Sequence, residues 1–372
     1  MVYTVDGKMH LIWIAILKSN HMRFITLLFI VLLVGNNLNG QNTLHENWNF
    51  VCIPDFLNKD TKFPQPGFED GLEYFLKSVK NENPEFVLVP GDLVNGRWPT
   101  ILEPTKEAIL ENSDIYYTAW KNRFEHHGLK YYPAIGDHEI GDNPWPPNKV
   151  ELVPLFKKQF VKHFSPLLNG PEGFLGTSYY WVNKGVLFIS LDVFTEGQGD
   201  EGGIIADVNG NHLKWLNNIL KETKDIKYKV VMGHTPILGP VNKLHSSGMM
   251  LEKGRDSELW EVLHQNKVDL YLCGEVHAIT YLEENDVHQI AHGSLFGWNP
   301  TLNYLLVEVK EDQLKCTLKE IDNIPIREGR KSLGITITEE SKKQGFREIG
   351  ELILKKSKQG TIVEKSGCFN AN

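Results

Sequence analysis

From residue 50 onward, short apolar runs alternate with longer amphipathic stretches. Phe50-Val51-Cys52-Ile53 reads as a buried strand, and residues 68–80 follow with Leu72, Phe75, Leu76 and Val79 at helical spacing. The next strand is 86–89, residues 105–127 supply helix, 131–135 make a third strand, and 150–164 are helical again. Residues 178–194 predict a hairpin that turns at Asn183-Lys184-Gly185. Helix over 212–223, strand over 229–232, helix over 257–266 and strand over 268–273 continue the alternation. Strands alone follow, near 279–282, 288–291, 304–309 and 314–321. Strand–helix alternation that gives way to a β-rich end predicts a layered α/β/β/α sandwich.

The ends of the chain read differently. Met22-Arg23 precedes the eleven-residue apolar run FITLLFIVLLV and then a polar stretch up to Gly40. A basic start with so short an apolar core is the pattern of an export signal over 22–40, too short to span a bilayer. Residues 1–21 then form an N-terminal extension. Lys18, Asn20, His21 and Arg23 interrupt any longer apolar span, and no Cys follows the run to carry a lipid, so no stable membrane anchor is expected. The protein is expected to be secreted or periplasmic. One large domain is expected over 41–328, and the Lys- and Glu-rich tail over 329–372 shows no readable role.

Composition narrows the partners. The chain has 372 residues, 39 basic against 47 acidic. Removing 1–40 takes away Lys8, Lys18, Arg23 and Asp6, leaving 36 against 46. Such an acidic balance offers nothing to a phosphate backbone, so nucleic acid is excluded as a partner. The four cysteines follow no metal-binding spacing. Cys52 and Cys273 sit in apolar strand-like runs and are expected in the core as free thiols.

The chemistry lies at the strand ends. Five strands in order close on Pro54-Asp55-Phe56-Leu57, Gly91-Asp92-Leu93-Val94-Asn95, Gly136-Asp137-His138-Glu139, Gly233-His234-Thr235 and Gly274-Glu275-Val276-His277. Glycine lets each turn bend sharply and brings the next side chain to the carboxyl edge of the sheet, where open α/β sheets bind ligands. Carboxylates and imidazoles converging there suit one or two divalent metal ions.

In these five segments, over 49–292, the chain resembles the calcineurin-like metallophosphoesterase superfamily. Its members carry Asp-x-His, Gly-Asp, Gly-Asn-His-Glu, Gly-His and Gly-His-x-His in this order, bind two metals and hydrolyse phosphoesters with activated water. The resemblance implies Asp92 as the bridging carboxylate, Asp55 and His277 on one ion, and Asp137, His234 and Glu275 on the other. It implies His138 as the catalytic residue that contacts substrate and protonates the leaving group, with Asn95 where some members place a tyrosine ligand. Three positions depart from the pattern. Leu57 replaces the first-motif His, Asp137 replaces Asn, and Glu275 replaces the first His of Gly-His-x-His. Asp55, Asp92, Asp137 and Glu275 then bring about −4 of charge, enough to neutralise two divalent ions where the usual set leaves a positive socket for phosphate.

Arg97, Trp98, Trp145 and Trp298 follow these motifs and are expected beside the cluster, the cation for an anionic substrate group and the rings for sugar faces. The preferred reading is a secreted metal-dependent lyase that eliminates water from a uronic acid at the end of acidic oligosaccharides. In this the chain is similar to ligand-substituted members of the fold that act as dehydratases on ulvan oligosaccharides in marine bacteria. The alternative is a secreted phosphomono- or diesterase, and the third reading is a non-catalytic glycan-binding relative.

Overall fold

In a computed structural model of the chain, the structure describes Thr4–Val5, Lys8–Met9 and residues 47–56, 69–96, 98, 103–164, 167–197, 203–293, 295, 299–328, 331–357 and 360–370. The chain divides into two units, Met1–Asn42 and Thr43–Asn372. Within the first, Thr4–Val5 pairs antiparallel with Lys8–Met9. The expected export signal lies outside the described residues. Among the described residues no helix is long and apolar enough to cross a membrane.

The second unit holds two large sheets. One has seven strands: β1 (Trp48–Cys52), β2 (Val87–Pro90), β3 (Tyr131–Ala134), β12 (Thr301–Val309), β13 (Gln313–Asp322), β16 (Arg347–Ser357) and β17 (Gly360–Gly367), in the order β17-β16-β13-β12-β1-β2-β3. The other has six, with β4 (Tyr179–Asn183), β5 (Val186–Ser190), β8 (Tyr228–Met232), β9 (Leu270–Cys273), β10 (Thr280–Glu284) and β11 (Val287–Ala291) in the order β10-β11-β9-β8-β5-β4. The expected hairpin is present, β4 pairing with β5 across Lys184 and Gly185. The 329–372 segment gains a place in the fold. It supplies β16 and β17, which extend the seven-stranded sheet, and a short helix at Glu339–Gln344 capped by Thr338.

The parallel strands set the geometry that matters. β1, β2 and β3 run parallel in one sheet, and β5, β8 and β9 run parallel in the other. Parallel neighbours need a crossover. Helices Glu69–Asn81, Lys106–His126, Gly210–Glu222 and Glu258–Gln265 provide four of them. The parallel strands are therefore covered on both faces and are largely apolar on both sides. Trp48, Phe50 and Cys52 point between the sheets while Val51 points to the helices, in keeping with the two-residue period of a strand. Cys52, Cys273 and Cys316 are buried free thiols whose pKa burial pushes up.

Aromatic packing closes the seam between the sheets. Phe188 on β5 meets Phe50 and Phe86 edge-on, with ring centroids 5.1 and 5.2 Å away, and stacks on Trp181 at 5.1 Å. Replacing Phe188 by Ala removes the ring that joins the two layers. The expected loss is about 3–5 kcal/mol of unfolding free energy in a urea titration, and a loss below about 1 kcal/mol would contradict this seam.

Candidate metal centre

The loops after β1, β2, β3, β8 and β9 converge where the two sets of parallel strands end. Their conformations are unusual. Asp55, Asp92, Glu275 and His277 have φ of 51°, 55°, 66° and 52°, in the left-handed region that side chains with a Cβ rarely adopt. Strain of this kind persists only where surrounding structure enforces it, and it gathers at functional sites. Two glycines show how tight the convergence is. A Cβ on Gly136 would sit 2.3 Å from Asp92 N and Oδ1, and one on Gly274 would sit 2.4 Å from Asp55 Oδ1.

Backbone amides hold the carboxylates in place. Glu275 N donates to Asp55 Oδ1 at 2.9 Å, tying the first loop to the fifth. Glu139 is fully buried and accepts from three amides: Asp92 N at 2.9 Å, Val94 N at 3.2 Å and Gly136 N at 2.8 Å. It thereby locks the second loop to the third. Its role is invisible in the sequence, where it is merely the last letter of Gly-Asp-His-Glu.

Two histidines have their tautomers fixed. His234 Nδ1 donates to the Pro90 carbonyl at 2.9 Å, and His277 Nδ1 interacts with the Leu244 carbonyl at 3.1 Å. A carbonyl only accepts, so each ring carries a proton on Nδ1, and His234 presents Nε2 to the clustered carboxylates. His234 Nε2 lies 3.3 Å from Asp92 Oδ1, 3.2 Å from Asp137 Oδ1 and 3.4 Å from Glu275 Oε2.

Three overlapping groups result: Asp55, Asp92 and His234; Asp92, Asp137 and His138; Asp137, His234 and Glu275. Their ligand atoms lie within 4.8 Å of one another in each group. Asp92, Asp137 and His234 each belong to two groups. The last group is the set expected for one ion. His277 lies outside all three and lines the cavity above instead.

Electrostatics point to cations here. Burial pushes the Asp55 carboxyl up to about 7 and raises Asp92 well above the carboxylate range, with neighbouring Asp137 adding to the latter. Burial would lower His234, but Asp92, Asp137 and Glu275 outweigh it and raise the imidazole well above its ordinary value. Asp55 Oδ2 is buried without a hydrogen-bond partner. Crowded oxygens, an orphaned carboxylate atom and the Nε2 of His234 among them are what divalent cations fit.

Above the cluster is a polar cavity of about 320 Å³. The second and third loops contribute Asn95, His138, Asp142 and Asn143 to its wall; the stretch before β9 contributes His245, Ser246 and Ser247. His138 Nδ1 faces the Asn95 carbonyl at 3.2 Å, which leaves Nε2 as its second ring nitrogen, 3.8 Å from Asp92 Oδ2. Burial would lower His138, yet Asp142, Asp137 and Glu139 raise it. Asn143 Nδ2 donates to Asp137 Oδ2 at 3.0 Å. A larger, mostly apolar cleft of about 630 Å³ beside Val153, Phe174 and Phe194 holds none of the clustered ligands.

The tryptophans correct the expectation about sugar stacking. Trp98 is fully buried, donates from Nε1 to the His138 carbonyl at 2.9 Å, and meets Tyr116 and Phe156 edge-on. Trp145 is also buried, donating to the Ile140 carbonyl at 3.1 Å and packing on Phe194. Both brace the third loop from behind, because a large apolar ring gains more by burial than by facing a polar cavity. Arg97, Trp298 and Leu57 lie outside the described residues. Sequence reasoning missed Asp142, Asn143, His245, Ser246 and Ser247, since nothing in their spacing ties them to a strand end.

A calcineurin-like phosphoesterase family model matches residues 44–278. The chain belongs to that family. Members use one or two divalent metal ions, and the clustered residues fit them. Among solved structures the chain is similar to a dimetal phosphatase from Danio rerio, at 13% identity over 72% of this chain and 95% of that one, with a TM-score of 0.48. It is similar also to the inner-membrane-complex anchor of Plasmodium, at 18% identity over 79% and 90%, TM-score 0.42. Phosphopantetheinyl hydrolase from Mycobacterium tuberculosis is similar at 12% identity over 67% and 90%, TM-score 0.35. No curated protein matches the sequence.

In this family member, Glu139→Ala leaves three buried amides without an acceptor. The expected cost is at least about 3 kcal/mol, read by urea unfolding in saturating manganese, with Glu139→Gln losing less because one carbonyl acceptor remains. An alanine variant as stable as the parent would show that Glu139 does not hold the loops.

Proposed function

We propose that this chain is a metal-dependent phosphoesterase. The observation that carries the reading is the set of overlapping ligand groups built on Asp92, Asp137 and His234 beneath a cavity that His138 lines. Asp55, Asp92, Asp137, His234 and Glu275 would hold the ions, with His277 beside them. When bound, such ions supply Lewis-acid polarisation of the phosphoryl group and of the attacking water.

The chain's own residues supply the rest. Water adds its oxygen to phosphorus and gives up one proton to solvent, the bond from phosphorus to the ester oxygen breaks, and the leaving oxygen needs a proton. His138 would give it from Nε2, because Nδ1 is engaged by the Asn95 carbonyl and the ring lines the cavity. Asn95 and Asn143 line the cavity that receives the phosphoryl oxygens.

A second reading is favoured by one specific feature. The carboxylate-rich set, with Asp137 and Glu275 where the family pattern has neutral ligands, lowers the positive charge available to a phosphoryl group. A uronate carboxylate, with one negative charge, needs less neutralisation than a phosphomonoester with two, so elimination of water beside it tolerates this set better, with His138 moving the proton. The burial of Trp98 and Trp145 removes two expected sugar-facing rings and weighs against it.

One assay separates the two. The manganese-loaded protein is expected to release aryl alcohol from aryl phosphomono- or diesters, and Asp92→Asn to slow this by about 100-fold or more. An ultraviolet band of unsaturated uronate from uronate-ended oligosaccharides, without phosphate ester cleavage, would overturn this assignment in favour of the lyase. Inactivity on both would overturn both enzymatic readings.

Export is part of the same proposal, resting on the basic start and apolar run over 22–40. The mature protein should be recovered outside the cytoplasm with its N-terminus near Gln41. A cytoplasmic protein that retains 22–40 would contradict it.

A further inference from the structure

The loop over 244–249 is wrapped around one atom. Glu275 Oε1 accepts from Ser247 Oγ at 2.6 Å, Ser246 Oγ at 3.0 Å, Gly248 N at 3.0 Å and Met249 N at 3.0 Å. Gly248 N also donates to Ser246 Oγ at 2.8 Å, which occupies a lone pair of that hydroxyl and leaves its single proton for the carboxylate. The loop is itself pinned to the fifth turn. Leu244 N donates to the Val276 carbonyl at 2.9 Å, and the Leu244 carbonyl accepts from His277 Nδ1.

An oxygen with four donors has no free lone pair for a cation. Oε2 accepts none of these bonds, and it faces His234 Nε2 at 3.4 Å inside the cluster. The two oxygens of one carboxylate are thus divided, one for the loop and one for the metal. A histidine at position 275, as in the family's usual pattern, would present a single nitrogen; the loop makes a two-oxygen group behave as a single donor.

We propose that Ser246 and Ser247 are positioning residues that hold Glu275 as a single-oxygen metal ligand. The assignment rests on reading the cluster as a metal centre, and is independent of which ester or sugar the enzyme acts on. It follows the general pattern in which groups behind a ligand set its orientation and its affinity.

The test is a double-mutant cycle on the full-length protein. Manganese binding is measured by titration calorimetry for the parent, Ser246→Ala/Ser247→Ala, Glu275→Ala and the triple variant, with melting temperatures recorded without metal. The serine pair should weaken binding by about 10- to 100-fold in the parent background. It should change binding by less than about twofold once Glu275 is absent, because the serines act through it. Ser247→Thr alone, which keeps the hydroxyl, should retain most of the parent's affinity. Equal weakening in both backgrounds, or unchanged affinity alongside a lowered metal-free melting temperature, would overturn the proposal and leave the serines as loop anchors only. A parent protein that binds no divalent ion would overturn the metal centre and this assignment with it. Weakened manganese binding in a protein that cleaves no phosphoester would leave this inference standing while the proposed function fell.

Discussion

Five carboxylates buried at the edges of two sheets impose the constraint around which this molecule is arranged. Asp55, Asp92, Asp137, Glu139 and Glu275 are almost wholly withdrawn from solvent. Like charges at such range in a medium of low dielectric repel strongly, and each also loses its hydration. The fold answers with backbone amides. Asp55 receives one, Glu139 three and Glu275 two, beside the two serine hydroxyls. His234 sits between three of the carboxylates; protonated, it is the central positive group, and divalent ions held by its Nε2 would take over that neutralisation.

The division of labour among these acids follows from what each oxygen touches. Glu139 spends both oxygens on amides and so fixes loops rather than ligating. Glu275 spends one oxygen on the 244–249 loop and keeps the other for the cluster. Asp55 keeps Oδ2 without a hydrogen-bond partner. Four residues at the centre accept left-handed backbone to reach these positions, at a cost of order 1–3 kcal/mol each. The aromatic seam between the sheets and the buried Trp98 and Trp145 behind the third loop supply the rigidity that keeps such strain in place.

The fold was legible because its signals are local and repeated. Runs such as Phe50 to Ile53 are apolar at every position, which only a strand covered on both faces requires, and Leu72, Phe75, Leu76 and Val79 mark a helix by spacing alone. The clustered acids and histidines were legible for a related reason: each follows closely on a strand, so the turn fixes its place at the sheet edge. Trp98 and Trp145 were misjudged because proximity in sequence to a site does not say which way a ring points. Apolar neighbours such as Tyr116, Phe156 and Phe194 come from distant segments and draw those rings inward.

By itself, then, the sequence determined the two-layer α/β architecture and the ordered set of acids and histidines at the strand ends, since periodicity and turn chemistry are properties of neighbouring residues. Tertiary structure alone decided how the ligands are held. That Glu139 joins two loops, that Ser246 and Ser247 grip Glu275 across 29 and 28 positions, and that Asp55 meets the Glu275 amide across 220 are facts of long-range closure. No spacing encodes them, because they exist only once the two sheets have packed face to face and brought their strand ends together.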